Sequence, residues 1–117
     1  MRLDLREENG VGILVLSGQL TTDSGGQFRE AIDTLIESGR TNILLDLTEL
    51  SYMDSSGIGE LVAGYRTFQR LGGALKILKP SKRIQNSLEL TQLLPIFEVF
   101  DDAETAIASY GPVVDPR

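Results

Sequence analysis

Two hydrophobic periodicities alternate along this sequence, and their order leaves few folds open. Leu3 and Leu5 alternate with Arg2, Asp4 and Arg6, the period-two pattern of a half-buried strand. Glu8-Asn9-Gly10 reads as a tight turn suited to positive φ. Val11 to Ser17 then reads as a second strand, ended by Gly18, so the chain opens with an antiparallel hairpin. The period then changes. Phe28, Ala31, Ile32, Leu35 and Ile36 mark one face of a helix, closed by Ser38-Gly39. Thr21-Thr22-Asp23-Ser24 supplies N-cap oxygens, and Ser24 with Gln27 fits a capping box.

The same alternation continues to the end. Asn42 to Leu47 suits a strand buried on both faces. Ile58, Leu61, Val62, Tyr65 and Phe68 form a second helical stripe, stopped by Leu71-Gly72-Gly73. Ala74 to Leu78 is a strand, Lys82 to about Leu90 a weaker helix carrying Ile84 and Leu88, and Phe97 to Phe100 a last short strand. Asp101 or Asp102 caps a final helix with Ala103, Ile107 and Tyr110. The order β-β-α-β-α-β-α-β-α predicts one α/β domain: a mixed, mostly parallel sheet with right-handed crossovers, an N-terminal β-hairpin and about four α-helices. We place this domain at residues 1–110, with 111–117 as a flexible tail carrying two prolines.

Composition narrows the chemistry. The 117 residues suffice for one core and include no Cys, His or Trp. A Ser-His-Asp triad, an imidazole shuttle, a thiolate and the usual zinc ligands are therefore absent. No EF-hand spacing occurs in the acidic run Glu98, Asp101, Asp102 and Glu104, so no metal site and no cofactor are expected. Eleven basic against 17 acidic side chains give a net charge of −6, which disfavours nucleic acid as a partner. Apolar runs such as Ile43-Leu44-Leu45 are too short to span a bilayer, so no membrane partner is expected. Met1-Arg2-Leu3-Asp4 opens no apolar signal segment, and the cytoplasm is the expected compartment.

Sites in α/β sheets gather where strands end and helices begin. One such turn is rich in polar and small residues: Tyr52-Met53-Asp54-Ser55-Ser56-Gly57-Ile58-Gly59. Its simplest role is an N-cap with glycines for tight geometry, and composition alone favours this. Three functional roles compete with it. A phosphate cradle lacks its Lys and the G-x-x-x-x-G-K-[ST] spacing. A serine nucleophile lacks the G-x-S-x-G elbow and any His base. A regulatory phosphoacceptor needs only an exposed serine, whose phosphate adds about −1.5 to −2 charge.

The segment Leu47 to Gly59, Leu-Thr-Glu-Leu-Ser-Tyr-Met-Asp-Ser-Ser-Gly-Ile-Gly, resembles the signature of anti-sigma-factor antagonists of the STAS-domain family. The resemblance extends over the opening hairpin, Ser17-Gly18-Gln19-Leu20 and Arg70-Leu71-Gly72-Gly73. It implies a non-enzymatic bacterial switch protein in a partner-switching circuit. Its implied partners are an anti-sigma factor that is also a serine/threonine protein kinase, and a metal-dependent serine phosphatase. It further implies Ser55, directly after Asp54, as the phosphorylated residue, with Ser56 as its neighbour. Asp54, Ser55, Ser56 and Gly57 become candidate partner-binding residues. Where the family often has Gly-x-Leu-Asp, this chain has Gly18-Gln19-Leu20-Thr21, with Asp23 two residues later. Thr21 and Asp23 are therefore candidates for partner contact, though Asp23 is equally placed to cap the helix, the role we favour for it. Arg66 joins the candidates because its helix starts at the turn. Alternatives are a phosphorylation-independent STAS adaptor in a multiprotein or transporter-associated complex, and a small-molecule or nucleotide-binding protein using the same turn.

Overall fold

The computed structural model describes residues 1–111, so the 111–117 tail lies, but for Gly111, outside the described residues. Its elements are β1 (Arg2–Glu8), β2 (Val11–Leu20), α1 (Gly25–Glu37), β3 (Asn42–Met53), α2 (Ser55–Arg70), β4 (Ala74–Leu78), α3 (Lys82–Leu90), a 3₁₀ turn (Leu94–Ile96), β5 (Val99–Phe100) and α4 (Ala103–Ala108). The sheet order is β1-β2-β3-β4-β5. β1 and β2 are antiparallel and every other pair is parallel, giving the mixed sheet that the alternation predicts. At the hairpin, Asn9 and Gly10 both take positive φ, 52° and 80°, which matches the twist of the strands they join.

Each face of the sheet has its own apolar cluster. Leu14, Leu16, Ile43, Leu45 and Leu47 meet Phe28 and Ile32 of α1, Leu61 and Phe68 of α2, and Ile84 and Leu88 of α3. Val11, Ile13, Leu44 and Leu78 meet Ala106 and Ile107 of α4. Consecutive residues of β3 point to opposite faces, and both faces are covered, so Ile43, Leu44 and Leu45 are all fully buried.

Several details differ from the sequence pattern, among them the last strand, which covers Val99–Phe100 and leaves Phe97 outside it. β2 runs through Gly18 to Leu20, and β3 runs past Leu47 to Met53. Their pairing contains register shifts between Val15 and Ser17 and between Gly18 and Gln19, which break the clean alternation a sequence pattern relies on. Ser24 occupies the N-cap position of α1, but its side chain caps nothing. The Ser24 hydroxyl is spent in the chain reversal before the helix: it accepts from Thr21 N–H at 2.9 Å and donates to the Gln19 carbonyl at 2.8 Å. Asp23, one residue earlier, is exposed, and its carboxylate forms no capping bond among the described residues, so it does not serve as the helix cap.

The basic side chains Lys76 and Arg83 have separate surroundings. Lys76 is drawn onto the α4 side: its Nζ pairs with Glu98 at 2.8 Å, donates to Ser109 Oγ at 2.9 Å and lies 4.4 Å from the Tyr110 ring centre. Arg83 instead lies over Tyr52, with its guanidinium 5.0 Å from the ring centre.

Candidate functional site

Two residues of the Asp54–Gly59 turn, Asp54 and Gly57, are packed against one carbonyl, that of Leu20 at the end of β2. Asp54 N–H donates to it at 3.3 Å. Gly57 is buried against the same peptide: a Cβ built on Gly57 would lie 2.0 Å from the Leu20 oxygen and 2.8 Å from its carbon. Only a residue without a side chain lets the first turn of α2 approach so closely. Gly57 therefore sets the turn's position and presents no surface of its own. Gly64, one stripe further along, has only ordinary contacts at 3.6 Å or more, and a Cβ on Gly59 would meet nothing within 4 Å.

Asp54 is the N-cap of α2. Its Oδ1 accepts from Gly57 N–H at 2.8 Å, and its Oδ2 accepts from Thr22 N–H at 3.1 Å and lies 3.3 Å from Thr22 Oγ1. One carboxylate thus joins α2 to the loop after β2. These donors hold its pKa below the ordinary carboxylate value, the Gly57 N–H most of all, with partial desolvation opposing and Thr22 adding to the effect. A depressed folded-state pKa stabilises the fold above the unfolded value near 3.9, and that contribution disappears as pH falls through the lower folded value. Asp54→Asn should therefore lower the melting temperature by a few degrees at pH 7 and flatten the acid limb below about pH 4. Thermal melts from pH 2 to 7 read this directly; parallel curves for the two proteins would contradict it.

The two serines face different neighbours. Ser56 is exposed at the α1–α2 side, where its Oγ lies 3.0 Å from Thr22 Oγ1. It shares a cleft of about 410 Å³ with Thr21, Thr22, Gly25, Gly26 and Arg29. Arg29 closes that cleft with a two-pronged pair to Glu60, at 2.6 and 3.2 Å, and this raises the Arg29 pKa further above its already high value. Ser55 is exposed, and its hydroxyl stays outside the Asp54–Thr22–Ser56 network. Ser55 opens instead onto a groove of about 460 Å³ between α2 and the end of α3. The groove continues along Ile58, Val62 and Ala63 to Arg66, with Thr91 and Leu93 opposite. Leu90, next to Thr91, is 86% exposed.

The structure thus brings Asp54, Ser55, Ser56 and Gly57 into one turn, with Thr21 half-buried beside it and Arg66 on the Ser55 groove. Asp23 stands exposed on the loop between β2 and α1. Thr22 was missed by sequence reasoning, although it makes more contacts to the turn than either of its neighbours. A surface cavity of about 890 Å³ is lined by the hairpin turn and α4 and includes none of these residues. Among the described residues no group of His, Cys, Asp and Glu is placed to hold a metal, and no helix is long and apolar enough to cross a membrane. The turn is also poorly suited to cradle a free phosphate, because the Asp54 carboxylate already occupies the Gly57 N–H that such an anion would need.

The STAS domain family model matches residues 2–106. The chain belongs to the STAS domain family. This STAS domain is 26% identical over 108 residues to the anti-sigma F factor antagonist of Paenibacillus polymyxa, covering 92% of each chain. It superposes on the anti-sigma factor antagonist SpoIIAA in its unphosphorylated form with a TM-score of 0.81 and 27% identity, covering 97% of this chain and 100% of that one. The phosphorylated form of the Bacillus cell fate determinant SpoIIAA gives a TM-score of 0.72 at 27% identity, covering 92% and 98%. The mixed five-stranded sheet and four helices of this STAS domain match the fold of these neighbours.

Proposed function

We propose that the protein is an anti-sigma-factor antagonist, a cytoplasmic non-enzymatic switch that binds an anti-sigma factor when Ser55 carries no phosphate and releases it when Ser55 is phosphorylated. One observation carries the reading: Ser55 is the exposed, uncommitted hydroxyl of a turn whose other parts are fixed, and it stands at the head of an apolar groove. The names of its relatives support the same function. The partner is an anti-sigma factor that is also a serine/threonine kinase, and a metal-dependent phosphatase reverses its action.

The covalent step is a phosphoryl transfer from a nucleoside triphosphate. A bond forms between Ser55 Oγ and the γ-phosphorus, the bridging bond to the β-phosphate oxygen breaks, the nucleoside diphosphate leaves, and the serine proton passes to a base of the kinase. Hydrolysis by the phosphatase adds water at phosphorus and releases inorganic phosphate. The modified chain stays folded, because Ser55 is the first residue of α2, where the helix end favours negative charge. Asp54 remains ionised beside it, so the phosphate adds to a field that is already negative. Candidate contacts to the partner are Asp54, Ser55 and Ser56 of the turn, Thr21 and Asp23 of the preceding loop, and Arg66 on the groove, with Gly57 acting by position.

Incubation with the kinase and ATP, followed by mapping of phosphate by mass spectrometry, tests the site. Phosphate on Ser55 is the expected result; phosphate confined to another residue would sink the assignment. Thr21, standing where the family often has an acidic residue, favours one alternative. A protein that binds its partner with or without Ser55 phosphate is the phosphorylation-independent adaptor.

A further inference from the structure

The two adjacent serines pose a problem of selection. Both are exposed, both sit in the first turn of α2, and both are the same chemical group. We propose that Thr22 is a positioning residue that makes Ser55 the phosphoacceptor by holding the hydroxyl of Ser56. This inference rests on the proposed phosphorylation of the turn.

The argument is one of proton placement. Thr22 Oγ1 is 3.0 Å from Ser56 Oγ and 3.3 Å from Asp54 Oδ2. Thr22 has a single hydroxyl proton, and a carboxylate only accepts. Both contacts are made together when Ser56 donates to Thr22 and Thr22 donates to Asp54. If Thr22 instead donates to Ser56, the Ser56 oxygen is occupied as an acceptor. In either arrangement Ser56 Oγ is engaged, whereas Ser55 Oγ lies outside this network. The Thr22 backbone N–H also donates to Asp54 Oδ2 at 3.1 Å, so the residue is anchored independently of its hydroxyl.

Direction adds to engagement. Ser56 lies in the α1–α2 cleft, flanked by the Arg29–Glu60 pair, and Ser55 lies on the α2–α3 groove. To enter a kinase site from the groove side, Ser56 must break its bond to Thr22 and leave its cleft. Transfer to Ser56 would otherwise be identical to transfer to Ser55: its Oγ bonds to phosphorus, the nucleoside diphosphate leaves, and its proton passes to the kinase base.

The test compares the native chain with Thr22→Val and Thr22→Ser. All three are phosphorylated by the kinases of the cells that make the protein, with ATP, and the phosphate on each serine is quantified by fragment mass spectrometry. Thr22→Val keeps the shape and the backbone N–H but removes the hydroxyl. It should raise the share of phosphate on Ser56 about tenfold, the change expected from one net hydrogen bond. Thr22→Ser restores a hydroxyl and should return the native preference, a rescue that a purely packing role would not give. Unchanged Ser55 preference in Thr22→Val would overturn the role of Thr22 and leave the Ser55 switch standing. Ser56 phosphate in both variants alike would do the same. Native protein with no phosphate on either serine would overturn both.

Discussion

Replacing Gly57 by alanine should lower the melting temperature by about 15 °C, while the same replacement at Gly59 should raise it slightly. The two glycines are two residues apart in one helix, and only their surroundings differ. A Cβ at position 57 meets the Leu20 oxygen at 2.0 Å, well inside contact distance, and the obstacle is backbone that no side-chain rotation removes. Relief requires the first turn of α2 to lift away from β2, which breaks the Asp54 N–H bond to Leu20 and strains the Asp54–Thr22 bonds. A cost of roughly 3 kcal/mol is expected, the upper part of the range for overpacking, which in a domain of this size corresponds to that shift. At position 59 nothing lies within 4 Å, and alanine gains roughly 0.5–1 kcal/mol of helix propensity. Calorimetric melting of both variants reads the difference. A Gly57→Ala protein as stable as the native one would mean that the close approach to Leu20 is not what fixes the turn. Because Ser55 rides on the same turn, Gly57→Ala should also weaken partner binding with no change in charge.

Charge at position 55 should act in graded steps on affinity for the proposed anti-sigma-factor partner. Two negative charges placed about 5 Å from a partner carboxylate, at an effective dielectric constant of about 40, cost roughly 3 kcal/mol, about a hundredfold. Ser55→Glu adds one charge and should cost about half as much free energy, roughly tenfold in affinity. Ser55→Ala removes the acceptor without adding charge and should bind nearly as well as the native chain. Added salt should narrow the gap between Glu and Ala, because the groups are exposed. Circular dichroism should be the same for all of them, since Ser55 is joined to none of the bonds that hold the turn. Equal affinity of Ser55→Glu and Ser55→Ala would remove electrostatics from the account.

The fold was legible where local chemistry decides it. Asn9-Gly10 demanded a hairpin, the stripe from Ile58 to Phe68 demanded a helix, and Gly72 terminates that helix with a φ of 83°. Where pairing decides, the sequence misled. Thr48 and Glu49 interrupt the apolar run of β3, so its extension to Met53 is visible only once β2 lies beside it. Ser24 has the composition of a cap, yet its hydroxyl serves Thr21 and Gln19, a choice set by the path of the chain. Phe97 lies outside β5, and its ring packs edge-on to Tyr65 at 5.2 Å.

The site shows the same division. Asp54 followed by two serines and a glycine announces an N-cap with exposed hydroxyls, because those properties are local. Thr22 lies 32 residues from Asp54, and nothing in its own neighbourhood signals that it ties the turn together. The one available hint was that a loop crowded with hydroxyls, Thr21 to Ser24, precedes a helix whose own cap needs few of them. From sequence, Gly57 is a glycine for tight geometry and, by resemblance, part of the partner surface; the 2.0 Å approach to Leu20 explains its place in the turn by geometry.

The most direct test is a calorimetric titration of the proposed anti-sigma-factor partner with two preparations of this chain, one unphosphorylated and one carrying a single phosphate on Ser55. Tight binding of the first and an affinity about a hundredfold weaker for the second is the predicted result. Equal binding of the two preparations would contradict control by the Ser55 phosphate.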